Sequence, residues 1–276
     1  MQIIGIDITE LLILVPALIA AGLLAGVAAG LLGIGGGAIL VPVLFQLFTF
    51  LKVDPSITMH LSVGTSLAII IPTSIRSLKG HMAKGAVDVI LLKSWIFPVL
   101  FGCVLGTIIA SYVDGFLLKA VFAFFSTLIG LKLIFGKETW LISKQMPSKI
   151  NNKVISGVIG MFSTLMGIGG GIFGVTYMTL FGRKIHQSIA TSSGLGLLIS
   201  IPATMGFMWA GWGTAGLPAL SLGYVNWLGV GIMVPATVLA APIGVKLAHS
   251  FSRRTLEMAF AALLFFVSAR FVISLL

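Results

Sequence analysis

Ten apolar runs follow one another along the 276 residues, at 11–33, 38–51, 60–75, 94–112, 117–135, 154–167, 172–182, 188–210, 224–245 and 255–276. Several approach the ~20 residues that span a bilayer as helix. Inside lipid every backbone N–H and C=O must find a partner within the protein, which leaves helices or closed barrels as spanning structures. Runs of this length without polar/apolar alternation are helical, so the expected fold is an all-α, polytopic, multi-pass protein of the cell membrane. The charge content agrees: 58% of residues are apolar and 9% charged, against ~25% charged in soluble domains. A soluble enzyme, a nucleic-acid binder and a secreted disulfide scaffold are excluded. The net charge of +10 comes from Lys and Arg in short loops, where the positive-inside rule puts them. The N-terminus carries Asp7 and Glu10 and no basic residue before the first run. That is a poor signal peptide, so the run is expected to stay in the protein.

The chain divides at its one clear polar gap. The segments read as an N-terminal transmembrane repeat (1–136), a cytoplasmic linker (137–153) and a C-terminal transmembrane repeat (154–276). Gly33-Ile34-Gly35-Gly36-Gly37 recurs as Gly167-Ile168-Gly169-Gly170-Gly171, and Thr65-Ser66 recurs as Thr191-Ser192. Gly106 pairs with Gly244, Leu118 with Leu256 and Lys132 with Arg270, all at one offset. Aligning Pro72 with Pro202 shifts the Thr-Ser register by four, so the glycine run and the final helix carry the repeat best. Arg76, Lys79, Lys84 and Lys93, the basic residues of 132–153, Arg183 with Lys184, and Lys246 with Arg253 and Arg254 mark the cytoplasmic side. Residues 153 and 183 then share a side, so 154–182 enters and returns. The same holds for 11–51 from the opposite face, although 11–33 is long enough to span alone. Each half has an odd number of crossings and the second is inverted relative to the first. Inverted-topology repeats with discontinuous or re-entrant helices meeting near the midplane are a recurrent secondary-transporter plan.

Glycine runs in such surroundings have two uses. Gly22, Gly26 and Gly30, four apart, suit close helix packing. A Gly-x-Gly-Gly-Gly turn also lets successive N–H groups face inward as a nest, with a helix N-terminus behind it, which suits a small anion. Gly33-x-Gly35-x-x-Ala38 matches a dinucleotide fingerprint, but no strand–turn–helix unit surrounds it and no Gly-Lys-Ser/Thr is present, so nucleotide binding is discarded. The Thr and Ser residues after each run either bond to their own helix or donate to an oxyanion without adding charge.

Asp7, Glu10, Asp54, Asp88, Asp114, Glu138 and Glu257 all lie at segment ends or in loops. A cation pump or proton relay would place a carboxylate in mid-membrane. Lys132 and Arg270 sit near helix ends, where snorkelling accounts for them. Arg76, Lys79, His81 and Lys84 read as a basic cytoplasmic loop. His60 and His186 each precede a Thr-Ser pair by five residues, but the four histidines, all near helix ends, read as ordinary loop histidines. They form no metal-ligand pair, and no metal or other cofactor is expected. Trp95, Trp140, Trp209, Trp212 and Trp227 fit an interfacial belt. His186 with Ser192 or Ser193 lacks a Gly-x-Ser-x-Gly context, so the chain is not read as an enzyme.

Two Gly-Ile-Gly-Gly-Gly runs, each followed by a Thr-Ser pair, resemble the sulfite exporter TauE/SafE family of membrane transporters. The first half adds Val41-Pro42, Gly64-Thr65-Ser66-Leu67, Pro72-Thr73-Ser74 and His81-x-x-Lys84-Gly85-x-Val87-Asp88. The likeness covers almost the whole chain. It implies a secondary transporter of small sulfur-containing oxyanions such as sulfite or sulfonates, with the small anion and membrane lipid as its partners. By motif the substrate-binding residues are Gly33, Gly35, Gly36, Gly37, Thr65 and Ser66, with Gly167, Gly169, Gly170, Gly171, Thr191 and Ser192. Some members of the family line the path with several cysteines; this chain has only Cys103, outside both runs. The alternative reading is a channel-like anion uniporter with a different small anion as substrate.

Overall fold

The computed structural model describes residues 2–3, 6–33, 35–136, 141–248, 250 and 252–274, with side chains from residue 14 onward except 253, 256, 257, 259 and 260. Glu138, Trp140 and His249 lie outside the described residues. Five helices form the first half: α1 (Ile8–Leu32), α2 (Gly37–Phe50), α3 (Pro55–Met82), α4 (Val89–Tyr112) and α5 (Gly115–Phe135). Five form the second: α6 (Lys149–Met166), α7 (Gly171–Leu180), α8 (Ile185–Ala210), α9 (Trp227–Ala248) and α10 (Arg253–Ile273). Each apolar run of the sequence lies mostly on one helix, and the described residues are all-α apart from two antiparallel two-residue hairpins, β1 (Gln2–Ile3) with β2 (Ile6–Asp7) and β3 (Ser221–Leu222) with β4 (Val225–Asn226).

Helix starts are set by short polar residues. Asp54, Asp88, Asp114, Ser148 and Ser252 precede α3, α4, α5, α6 and α10, and each side chain accepts a hydrogen bond from an N–H of the first turn, satisfying a donor that the helix itself leaves open. Several helices extend beyond the apolar runs, α4 from Val89 rather than 94 among them, and α3 extends furthest. α3 covers 55–82 rather than 60–75 because its polar residues are buried. Thr58, Ser62 and Thr73 hydroxyls donate to carbonyls one turn back, which hides polarity from the surroundings. α6 starts at Lys149, capped by Ser148, so the end of the 137–153 linker is helical.

Six helices, α1 over Leu14–Leu32 with α3, α4, α5, α8 and α9, are long and apolar enough to cross a membrane. Their outward faces carry exposed Ile90, Phe97, Phe101, Phe124 and Leu239, a surface that water would not tolerate in this extent and lipid does. By contrast α2 and α7, of 14 and 10 residues, measure about 21 and 15 Å at 1.5 Å per residue, short of a ~30 Å hydrocarbon core.

Exchange of each helix for its counterpart in the other half preserves the principal packing. α1 lies along α9 as α6 lies along α4; α3 on α9 matches α8 on α4; α2 on α3 matches α7 on α8; and α3–α8 and α5–α10 pair across the halves. Small residues form the two longest seams. On α1, a Cβ at Gly22, Gly26 or Gly30 would run into Met233, Thr237 or Ala241 of the α9 backbone. On the other seam, Gly102 and Gly106 of α4 meet Gly157 and Met161 of α6, and Gly160 meets Val99. Between lipid-facing helices there is little hydrophobic gain from association, so close backbone contact is what holds them together. α5 and α10 cap each other: Arg254 donates to the Leu133 and Ile134 carbonyls, and Lys119 to the Ser274 carbonyl.

Trp95 departs from the interfacial belt expected of it. It is fully buried, its Nε1–H donating to Asn152 Oδ1, which also accepts from the Tyr177 hydroxyl. Trp209, Trp212 and Trp227 are exposed at helix ends, as an interfacial belt requires.

Cys103, the sole cysteine, is 1% exposed one residue beyond Gly102 in the α4–α6 seam. Gly102→Leu should therefore force α4 from α6 at a cost of about 3 kcal/mol or more. The expected result is maleimide labelling of Cys103 in the variant at temperatures where the native chain stays protected.

Candidate functional site

Each glycine run stops one helix and starts another. Gly33 (φ 66°), Gly35 (φ 68°) and Gly36 (φ 80°) in the first turn, and Gly167 (φ 67°) and Gly170 (φ 70°) in the second, occupy the left-handed region that side chains disfavour. Gly36 and Gly170 stand at equivalent places, as N-caps of α2 and α7 with ψ −3° and −5°.

Both turns lie deep along α3 and α8. Gly35 rests on Ile70 and Ser74, and Gly167 on Val63 of α3; Gly170 rests on Leu195 and Ile199 of α8, and Gly33 on the Ile189 carbonyl. The turns also touch each other. A Cβ on Gly37 would stand 2.6 Å from the Gly167 carbonyl oxygen and 2.8 Å from Ile168 Cα. Gly169 faces Gly196 of α8, and Gly171 opens α7. Gly170 N–H bonds to the Ile168 carbonyl, and the ladder of α7 resumes with Gly174 N–H to the Gly170 carbonyl. The N–H groups of Gly37, Ala38, Gly171 and Ile172 have no acceptor among the described residues. Four donors at two helix N-termini are thus gathered in one small region.

The Thr-Ser pairs divide the work. Thr65 Oγ1 accepts from Asn226 N–H, and Thr191 Oγ1 accepts from Asp88 N–H, each at 2.9 Å. Asn226 and Asp88 are themselves equivalent, at the same offset as Gly106 and Gly244, and each takes an N–H three residues on, from Gly229 and Leu91. The two threonines therefore fasten the loops ahead of α9 and α4 to the interiors of α3 and α8. Asp88 also pairs with Arg183 at 3.3 Å. Ser66 Oγ donates to the Gly167 carbonyl at 2.9 Å, while its counterpart Ser192 has no partner.

Two further serines, Ser74 and Ser163, lie against the turns, and a third, Ser200, is related to Ser74 by the repeat. Ser74 Oγ lies 3.3 Å from a Cβ built on Gly35 and faces Gly196, and Ser163 Oγ lies 3.4 Å from one built on Gly170. Ser200 sits on α8 at the offset that relates Ser66 to Ser192, so it is the counterpart of Ser74. Ser74, Ser163, Ser192 and Ser200 are all 0% exposed, and their Oγ atoms have no hydrogen-bond partner among the described residues. A buried unpaired hydroxyl costs about 1–3 kcal/mol, so Ser74 beside Gly35, Ser163 beside Gly170 and Ser192 beside Gly174 call for a ligand or a second arrangement. Ser74 stood in the Pro72-Thr73-Ser74 motif, and Ser200 was recoverable from the offset. Ser163 gave no sequence signal.

The histidines of α3 are buried rather than in loops. His60 Nε2–H donates to the Ala110 and Val113 carbonyls at the end of α4, and His81 Nε2–H to the Gly30 carbonyl at the end of α1. Arg76, Lys79 and His81 lie in the last two turns of α3 and not in a loop; the loop they were assigned to begins at Ala83. Every charged residue on a helix lies within two turns of one of its ends. No group of three or more His, Cys, Asp or Glu among the described residues could hold a metal.

The whole chain has close relatives. A family model described as "Sulfite exporter TauE/SafE" matches residues 18–271. A "probable membrane transporter protein" of Haemophilus influenzae is 31% identical over 90% of this chain and 94% of its own. Proteins with the same description from Methanocaldococcus jannaschii and Bacillus subtilis are each 26% identical over 92% of this chain, covering 94% and 96% of theirs. No solved structure matches the chain at a significant level. A helix scaffold built for lipid, two matching central glycine turns and a family match across nearly all residues lead to one conclusion: the chain belongs to the sulfite exporter TauE/SafE family of membrane transporters.

Proposed function

We propose that the chain is a secondary transporter of small sulfur-containing oxyanions, sulfite or sulfonates among them, and that the anion binds where the two glycine turns meet. The observation that carries this reading is the contact of Gly37 with Gly167 and Ile168, which gathers the open N–H groups of α2 and α7. Backbone donors at a helix N-terminus, backed by the helix dipole, hold anions without a charged side chain. The Ser192 hydroxyl, which lies against Gly174 of α7, adds a donor, while Ser66 is spent holding the Gly167 carbonyl and Thr65 and Thr191 fix the loops.

Helices too short to span, each joined to a longer partner by a glycine turn, support the re-entrant reading of 11–51 and 154–182. With the Lys- and Arg-rich loops cytoplasmic, each half then crosses an odd number of times and the halves are inverted. Alternating access follows from one turn-bearing hairpin rocking against the other. The equivalent serines already differ: Ser66 holds the Gly167 carbonyl, and Ser192 holds nothing.

The test is thermal stability of purified protein against sulfite, thiosulfate, sulfonates, sulfate, phosphate and chloride at matched ionic strength. A ligand at about 100 times its dissociation constant adds ~2.7 kcal/mol, and the expected response is confined to sulfur oxyanions. Equal stabilisation by every anion would remove the specific site. A second expectation concerns transport. Gly36→Leu and Gly170→Leu should abolish flux into proteoliposomes, while Gly213→Leu, with a similar φ of 77° but open space around it, should transport normally. Saturating flux with counterflow marks a carrier, and linear flux the channel-like alternative.

A further inference from the structure

The serines around the turns carry a consequence for the charge of the substrate. The donors at the junction are neutral: N–H groups of Gly37, Ala38, Gly171 and Ile172, and the fully buried, unpartnered hydroxyls of Ser74, Ser163 and Ser192. Ser74 is the one that faces both halves, lying against Gly35 of the first turn and against Gly196, which in turn faces the Gly169 carbonyl. Charged groups on the surrounding elements stay at their ends: Arg76, Lys79 and the buried His60 and His81 on α3, Lys93 on α4, Lys119 and Lys132 on α5, Lys149 and Lys153 on α6, Lys246 on α9, and Arg183, Lys184 and His186 at the start of α8. Lys132 donates to Thr179 at the C-terminal end of α7, the end opposite the glycine turn. Asp88, the carboxylate nearest Thr191, is engaged by Arg183.

The positive potential available to an anion is therefore that of two helix N-termini. Each is worth about half an elementary charge, so α2 and α7 together supply about one. The desolvation penalty rises with the square of the charge, so a dianion meets about four times the penalty of a monoanion. We propose that this site takes singly charged sulfur oxyanions, hydrogensulfite and alkanesulfonates, and rejects doubly charged ones, with the Ser74 hydroxyl a ligand bridging the two turns. The proposal rests on the anion-transport reading above and narrows its substrate class.

Uptake of radiolabelled methanesulfonate, sulfite and sulfate into proteoliposomes across the pH range around neutrality tests it. Methanesulfonate keeps one charge throughout and reports any titration of the protein itself. Sulfite passes from monoanion to dianion near neutral pH. The expected result is steady methanesulfonate uptake, sulfite uptake that falls relative to it by about tenfold per pH unit above the sulfite ionisation, and no sulfate uptake. Ser74→Ala should lower methanesulfonate uptake about tenfold while melting at the same or a higher temperature than the native protein, since it removes a buried unpaired hydroxyl. A serine with only a packing role would leave uptake unchanged. Sulfate uptake equal to methanesulfonate, sulfite uptake that holds or rises with pH, or native uptake by Ser74→Ala overturns the proposal. Absence of uptake for all three anions by cooperatively melting protein overturns the transport reading itself, a separate failure.

Discussion

Two helices end deep inside this molecule, and each ending leaves backbone donors and acceptors with no water to meet them. In an apolar surround that is costly enough to dictate what lies nearby. The glycines answer part of the demand by turning the chain within a few residues, so that Gly170 N–H reaches back to Ile168 and the following helix starts at once. Ser66 answers another part by donating to the Gly167 carbonyl across the two halves. What remains open among the described residues is a set of N–H groups at the starts of α2 and α7, one set in each half, and such groups are what an anion needs.

The scaffold keeps those turns together with few strong interactions. Its longest seams are α1 on α9 and α4 on α6, where glycine and alanine allow backbone to meet backbone. Hydrogen bonds between elements fix loops, Thr65 to Asn226, Thr191 to Asp88 and Arg254 to the end of α5, and also tie helix to helix in their middles, Thr73 to Thr237 and Ser268 to Ala123. Close backbone contact along the seams supplies dispersion, and the hydrogen bonds supply register. The difference between Ser66, which is bonded, and Ser192, which is not, lies in the centre.

Much of this was legible in the residues. The ten apolar runs gave ten helices because hydropathy over a bilayer length is a strong signal, and the doubled Gly-Ile-Gly-Gly-Gly gave both interruptions. Trp95 misled because an aromatic residue near a segment end looks the same whether it faces lipid headgroups or an Asn152–Tyr177 pair from the other half. The length of α3 was underread because its serines, threonines and histidines lower the hydropathy of a helix that neighbours fully cover. Ser163 was invisible, since one serine in α6 differs from the others only through the turn it happens to face.

Sequence by itself determined the membrane-spanning, all-α character, the two related halves and the positions where helices break, because these follow from local composition and from identity between distant segments. Tertiary structure alone decided that the two breaks touch, that Thr65 and Thr191 serve as fastenings while Ser74, Ser163 and Ser192 stay unpaired, and that charge is kept to the helix ends around the junction. Those outcomes depend on which helix face meets which neighbour, and that is fixed by the packing of α3 against α8 rather than by any residue's own chemistry.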